Sequence, residues 1–301
     1  MPAEAEIMNI TLGSEHFHVE VTTPMTGCMG EYGPRFETLG AVTGVSLDGL
    51  SFCAREGLVD EFNIEPPLSP PGYDAARPGD PFVKIGVGEL LREDDDEYCF
   101  SQPYTIRQLA RVRAEKQDGA LALFQSLSTE AGWGYDYCKT YRVLPDAGTL
   151  VIEYQLTNTG QHRIHAEQYN HNWFNFGGDP VNEEYSLRSK FGIEENGAEW
   201  VERRDGCLDV IGRITEPCYF SSPHPAPAHA NWMHVAHAAR GCAVAVSGDF
   251  GVARFALYAD HASLCPEVFF ETQLAPNQSR TWKRIYEFHN PSADTPKRRV
   301  S

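Results

Sequence analysis

The sequence is poor in positive charge. Among its 301 residues, Lys and Arg number 25 while Asp and Glu number 42, so the formal net charge is −17. Binding to a nucleic-acid backbone or to an anionic membrane surface needs clustered Lys and Arg. The basic run Lys297-Arg298-Arg299 lies in a polar C-terminal segment. We therefore expect neither nucleic acid nor a membrane as a partner.

Three further signals are missing. None of the eight cysteines has CxxC spacing, which argues against zinc-ribbon and thioredoxin-like sites. No apolar run approaches the length of a membrane span. The first residues, Met-Pro-Ala-Glu-Ala-Glu-Ile, lack the basic and apolar regions of a secretory signal. These absences predict a cytoplasmic protein with reduced thiols.

Helical periodicity is weak, and alternating or β-rich runs dominate the chain. Clear strand candidates are residues 41–47, 120–128, 149–156 and 280–288. Six prolines between residues 64 and 81 predict an ordered loop or lid there. We predict one all-β domain over residues 1–301, a large antiparallel β-sandwich with its core at about 8–289 and a polar tail at 290–301. A homodimer is compatible with these features.

The stretch Glu167-Gln-Tyr-Asn-His-Asn-Trp-Phe-Asn-Phe176 has too many polar groups for a plain core strand. Alternation places His165, Glu167, Tyr169, His171, Trp173 and Asn175 on one face. Aromatic planes beside donors and acceptors suit a carbohydrate cleft, although a solvated surface strand gives the same pattern. His165, Glu167 and His171 also share this face as metal ligands would, but their spacing matches no known motif. We expect no metal and no cofactor.

A late segment, Cys265-Pro-Glu-Val-Phe-Phe-Glu-Thr-Gln273, carries two glutamates among apolar residues. Alternation along a strand places Glu267 and Glu271 on one face. Apolar surroundings disfavour the ionised carboxylate, which suits a general base near neutral pH. The alternative is a salt-bridged surface glutamate.

Other candidates are weaker. Tyr137 and Lys139 share the face of an alternating strand, where they either contact a ligand or pack with the lysine reaching to water. Arg35 and Lys84 stand near predicted loop ends and could hold hydroxyls or a carboxylate.

The segment Asn170-His-Asn-Trp-Phe-Asn-Phe176 resembles the Asn-His-x-Tyr-Phe-Asn-Leu signature of aldose 1-epimerases (galactose mutarotases). The resemblance implies that His171 is the general acid. The family's base lies in a Leu-Glu-Thr-Gln segment, which Phe270-Glu-Thr-Gln273 resembles and which points to Glu271. A shift of one pleat would instead select Glu267, which we favour slightly. The family's earlier His-Gly-Gly histidine has no counterpart, and Lys84 lies at the comparable place.

This resemblance implies the family's large sandwich and an isomerase that acts at the anomeric carbon of a free sugar. The sugar contacts expected are Arg35, Lys84, Tyr137, Lys139, Tyr169, Asn170 and Trp173. Two alternatives remain open. One is a lyase, isomerase or cyclase that binds an oxidised sugar or another metabolite through Arg35 and Lys84. The other is a carbohydrate-binding protein without catalysis.

Overall fold

The computed structural model describes residues 7–24, 33–117 and 119–291. The basic run at 297–299 and most of the predicted tail at 290–301 lie outside the described residues. No helix in the described part of the chain is long and apolar enough to cross a membrane.

The described residues form twenty-three strands and three short 3-10 helices, at Tyr73–Ala75, Pro145–Ala147 and Ala228–Ala230. The first strands are β1 (Met8–Gly13), β2 (Phe17–Thr23), β3 (Ala41–Leu47), β4 (Leu50–Ser51), β5 (Cys53–Phe62), β6 (Pro81–Lys84), β7 (Gly88–Leu91), β8 (Ile106–Leu109), β9 (Arg111–Gln117), β10 (Ala120–Ser128), β11 (Gly134–Leu144) and β12 (Thr149–Asn158). The others are β13 (Ile164–Phe174), β14 (Tyr185–Ser189), β15 (Val201–Arg204), β16 (Cys207–Val210), β17 (Cys218–Ser222), β18 (Trp232–His237), β19 (Cys242–Gly248), β20 (Phe255–Ala259), β21 (Leu264–Val268), β22 (Phe270–Leu274) and β23 (Ser279–His289).

Two large antiparallel sheets make up most of the fold. The first has the order β1-β2-β3-β5-β13-β21-β20-β17, with β4 beside β3 and β22 beside β13. The second has the order β15-β16-β14-β18-β19-β23-β12-β11-β10-β9. A small third sheet, β6-β7-β8, comes from the excursion between β5 and β9. The predicted all-β class is confirmed.

The strands bury alternate side chains between the two large sheets, as the period of a strand requires. In β12, Leu150, Ile152, Tyr154 and Leu156 are buried. One apolar cluster includes residues from Leu12 to Phe288, so this core contains side chains from both large sheets.

Strand β5 was not predicted, yet it lies between β3 and β13 in the first sheet. Gly57 permits this position because its φ is +68° and a Cβ there would lie 1.8 Å from the carbonyl oxygen of Val42. The end of β5 brings Asp60 and Glu61 beside β13.

The late segment from Cys265 to Gln273 forms two strands rather than one, but Glu267 and Glu271 share a face as expected, because they contact His171 and His165 on one face of β13. Phe269 lies between β21 and β22, where its N–H donates to the carbonyl oxygen of Arg254. Beyond this break the chain stops following β20 and pairs with β13 instead. Glu267 is buried, whereas Glu271 is exposed.

Lys139 lies between the two large sheets, which corrects its prediction as a sugar contact. Its ammonium group donates to Glu37, lies 2.7 Å from Asp60 Oδ2 and also bonds the carbonyl oxygen of Gly40. All three charged side chains are buried. Burial raises the pKa of Glu37 to about 8, although Lys139 opposes this. The lysine is therefore the counter-ion of a buried acidic pair.

Asn170 and Tyr137 also face the core, because each alternates with residues on the outer face of its sheet. Asn170 donates to Asp60 and accepts from Tyr286. The ring of Tyr137 packs edge-on against Phe62, with centroids 5.3 Å apart. These two predicted sugar contacts are thus core residues.

We expect Lys139→Met to lower the free energy of unfolding by about 3–5 kcal/mol, because it leaves Glu37 and Asp60 without their buried counter-ion. The measurement is urea denaturation followed by circular dichroism. Lys116→Met, at an exposed position, is the matched control and should change stability by less than about 0.5 kcal/mol. Equal stability of the two variants would contradict a stabilising role for the Lys139 ion pairs.

Candidate active site

Three adjacent strands of the first sheet bring an acidic, a basic and a second acidic side chain together. Glu61 is the second-last residue of β5, His171 lies in β13, and Glu267 lies in β21. Alternation along β13 directs His171 to the face of the sheet opposite to Asn170. All three side chains are buried.

The imidazole of His171 lies between the two carboxylates. Its Nε2 is hydrogen-bonded to Oε2 of Glu61 at 3.0 Å. Its Nδ1 lies 2.6 Å from Oε1 of Glu267. This second contact is close but not aligned, so Nδ1 has no partner in hydrogen-bonding geometry among the described residues. One ring nitrogen is therefore fixed, and the other remains able to exchange its proton.

The two carboxylates control the protonation of His171. Burial by itself would lower the pKa of the imidazole, but the negative charges of Glu267 and Glu61 outweigh it and raise the pKa above its ordinary value. The shift favours the imidazolium form of the ring. An imidazolium beside an available carboxylate is a general acid beside a general base.

Glu61 is held in its ionised form by several neighbours. Arg35 Nε donates to Oε2 at 3.0 Å, the hydroxyl of Tyr169 donates to the same oxygen at 2.5 Å, and Lys84 Nζ lies 3.6 Å from Oε1. Burial would raise the pKa of Glu61, but Lys84, Arg35 and the bond from His171 lower it to about 2. Glu61 is therefore a permanent anion that orients the imidazole.

Lys84 reaches this site from the third sheet, at the end of β6. Its ammonium group also donates to the backbone carbonyl oxygens of Phe62 and Asn63. Burial lowers the pKa of Lys84 to about 8, with Glu61 acting against this shift. The excursion between β5 and β9 thus contributes a structural cation to the site.

Aromatic rings enclose the imidazole. The indole of Trp173 stacks on it, with centroids 5.3 Å apart and planes inclined by 6°. Phe36 and Tyr169 contact it edge-on at 5.0 and 4.6 Å. The indole N–H of Trp173 has no hydrogen-bond partner in the described part of the chain. At the outer side, Tyr258 packs edge-on against Trp173.

Six predicted site residues come together here. They are Arg35, Lys84, Tyr169, His171, Trp173 and Glu267. Glu271 does not, because its exposed carboxylate pairs with His165 at 2.6 Å. The sequence did not point to Glu61 or Phe36 as residues of this site, nor to Cys265 as a candidate metal ligand. The pair Asp60-Glu61 beside Phe62 was the available signal for Glu61.

The three residues of β13 that share a face as metal ligands would, His165, Glu167 and His171, do not come together around one point. The carboxylate of Glu167 makes two hydrogen bonds with Arg254, at 2.9 and 2.7 Å. His165 pairs with Glu271 near the surface. Of these three residues, only His171 lies between Glu61 and Glu267.

A separate groove of about 550 Å³ lies on the second sheet, between β9, β10, β11 and β12. Arg113, Phe124, Asp136 and Gln155 are among its lining residues. It includes none of the residues around His171. The volume of this groove suits a small ligand. The acidic and basic side chains that contact one another, Glu61, His171 and Glu267, lie on the first sheet instead.

No family model matches the sequence, and no curated protein matches it either. Solved structures do match. A proposed aldose 1-epimerase from Escherichia coli K12 superposes with a TM-score of 0.60 at 12% identity, covering 95% of this chain and 100% of the other. A galactose mutarotase-like protein from Lactobacillus casei gives 0.58 at 13% identity, with 94% and 100% covered.

A GalM/aldose epimerase homologue from C. elegans gives a TM-score of 0.54 at 10% identity, with 95% and 99% covered. The chain has the galactose mutarotase-like fold. At these identities the likeness establishes the mutarotase-like fold and not an activity. The resemblance around His171 and this fold agree.

Glu61 should make the protein acid-sensitive. Its folded pKa of about 2 lies below its usual value of 4.5, so its stabilisation is present above pH 4.5 and is lost as the pH falls toward 2. We expect the free energy of unfolding to fall more steeply in the wild type than in Glu61→Gln, by up to about 1.4 kcal/mol per pH unit. Urea denaturation from about pH 5 to about pH 3 measures this.

The control is Glu130→Gln, which changes an almost fully exposed carboxylate and should keep the wild-type slope. Equal slopes for the wild type and Glu61→Gln would show that the pKa of Glu61 is not depressed.

Proposed function

We propose that the protein is an aldose 1-epimerase-like enzyme that interconverts the anomers of a free sugar. The observation that carries the proposal is the direct contact of His171 with Glu267 in a buried, aromatic-lined site. The fold shared with mutarotase-like proteins adds support.

The reaction needs acid and base side by side, because the C1 hydroxyl and the ring oxygen are bonded to the same carbon. Glu267 takes the proton of the C1 hydroxyl, while Nδ1 of the His171 imidazolium gives its proton to the ring oxygen. The C1–O bond of the ring breaks and an open-chain aldehyde forms. After rotation about C1–C2, the reverse transfers close the ring in the other anomer and restore both groups.

Glu61 acts on this cycle through the imidazole. It accepts the Nε2–H of His171 and stabilises the positive charge of the ring. Because Glu61 stays ionised, the proton given to substrate comes from Nδ1. We infer that Glu61 is a positioning residue rather than a proton donor.

A neutral sugar fits this site better than an anionic metabolite. The hypothesis of an anionic substrate depends on Arg35 and Lys84, and both cations lie against the buried carboxylate of Glu61. The stacked aromatic wall suits the C–H face of a pyranose, and the indole N–H of Trp173, which has no partner among the described residues, suits one of its hydroxyls.

A binding protein without catalysis has no need for a histidine in contact with a buried carboxylate. Burying charged groups costs desolvation free energy, and a simple hydroxyl contact could be made by neutral groups. We therefore favour an enzyme.

The test uses His171→Asn and Glu267→Gln, with anomer exchange of a panel of free aldoses followed by polarimetry. Each substitution should lower the exchange rate by about 10²–10⁴-fold, because it removes one proton-transfer group. Glu271→Gln, in the next strand along the chain, is the matched control and should keep the wild-type rate.

Unchanged exchange in Glu267→Gln would reject its assignment as the base. If Glu271→Gln instead abolished exchange, Glu271 and not Glu267 would be the base. A wild type that binds a sugar with no effect on its anomer exchange would be a binding protein.

A further inference from the structure

The His171–Glu267 pair has a third neighbour that the proposed reaction does not use. Cys265 lies two residues before Glu267 in β21, so both side chains project from the same face. Its Sγ lies 3.5 Å from Oε1 of Glu267. The ligand atoms of His171, Cys265 and Glu267 all lie within 4.8 Å of one another, and all three residues are buried.

We propose that His171, Cys265 and Glu267 form a site for Zn²⁺, and that occupation of this site blocks anomer exchange. The zinc site stands on geometry alone. The block of anomer exchange rests on the proposed function.

The donor set is one that zinc prefers. Zn²⁺ binds thiolate, imidazole and carboxylate, and sites with three protein ligands leave a fourth position for water. Metal–ligand bonds of about 2.0–2.3 Å in a tetrahedron separate the ligand atoms by roughly 3.3–3.7 Å. The distance from Nδ1 to Oε1 is 2.6 Å, so small side-chain rotations bring the three atoms to these separations.

The orientation of His171 supports the site independently. Nδ1 is buried and without an aligned partner in the described residues, and it faces Glu267. Its other nitrogen is bonded to Glu61. A histidine that ligates a metal usually donates its other N–H to a carboxylate, which fixes the tautomer and the ring plane. Arg35 and Lys84 in turn hold Glu61 in place.

Zinc binding at this site exchanges protons for the metal. Binding displaces one proton from the Cys265 thiol and one from Nδ1 of the imidazolium, and both protons pass to solvent. The net charge of the buried site is then the same before and after.

Occupation removes both groups from the proposed reaction. The lone pair of Nδ1 and an oxygen of Glu267 would bind the metal, leaving neither a proton to give nor a base to receive one. Zinc would therefore act as an inhibitor of the same site.

Zn²⁺ affinity is measured on the full chain, after treatment with a chelator, by competition with a chromogenic chelator. The wild type should bind one Zn²⁺. Glu61→Gln should weaken binding by about 10–100-fold, and Cys265→Ser, which removes a ligand itself, by at least about 100-fold. Cys242→Ser changes a second buried cysteine and should keep the wild-type affinity. Equal affinity in Cys265→Ser and the wild type would overturn the site.

Cobalt gives a readout that does not depend on any variant folding. Co²⁺ bound to the wild type should show a thiolate-to-metal charge-transfer band, and its absence would overturn the assignment of Cys265 as a ligand. Circular dichroism checks that each variant is folded.

Measurements of anomer exchange test whether bound zinc inhibits the reaction. One equivalent of Zn²⁺ should abolish exchange in the wild type and leave Cys265→Ser active. Zinc that binds without changing the rate would overturn the inhibition. If no exchange is seen in the metal-free wild type, the proposed function fails, while the affinity and cobalt measurements still decide the metal site.

Discussion

The buried carboxylate of Glu61 is the constraint on which the site depends. An ionised group removed from water has to be surrounded by donors and cations, and Glu61 is met by Arg35, Lys84, Tyr169 and His171. These partners come from a loop, the small third sheet and the neighbouring strand. One anion thus fixes the positions of elements that are distant in sequence, and it orients the imidazole that faces Glu267.

The polar side chains of β13 lie on both faces of the first sheet. Those on one face enter the core, where Asn170 bonds Asp60, and the alternate residues on the other face form the site around His171. The core-facing polar groups are satisfied by partners on the second sheet, such as Tyr286. This explains why neither face of the strand is apolar throughout. The same strand therefore aligns the two sheets through its core-facing side chains and holds His171 on its other face.

Much of this could be predicted from sequence. The alternation in β11 and β12 predicted the all-β class, and the segment around His171 pointed to the strand that carries the candidate site. The distinction between Glu267 and Glu271 could not be predicted, because it depends on the break at Phe269, where pairing changes from one neighbouring strand to another. The role of Lys139 was also hidden, because its partners Glu37 and Asp60 lie 102 and 79 residues earlier in the sequence, and a local pattern does not contain contacts at such separations.

A sugar bound to the protein would test the central claim most directly, namely that His171 and Glu267 act on the two oxygens of an anomeric carbon. The measurement is a crystal structure with a free pyranose. We predict the C1 hydroxyl within about 2.6–3.2 Å of a Glu267 oxygen and the ring oxygen within the same distance of Nδ1 of His171. A pyranose bound instead in the groove beside Phe124 on the second sheet, with the His171 site empty, would contradict the account.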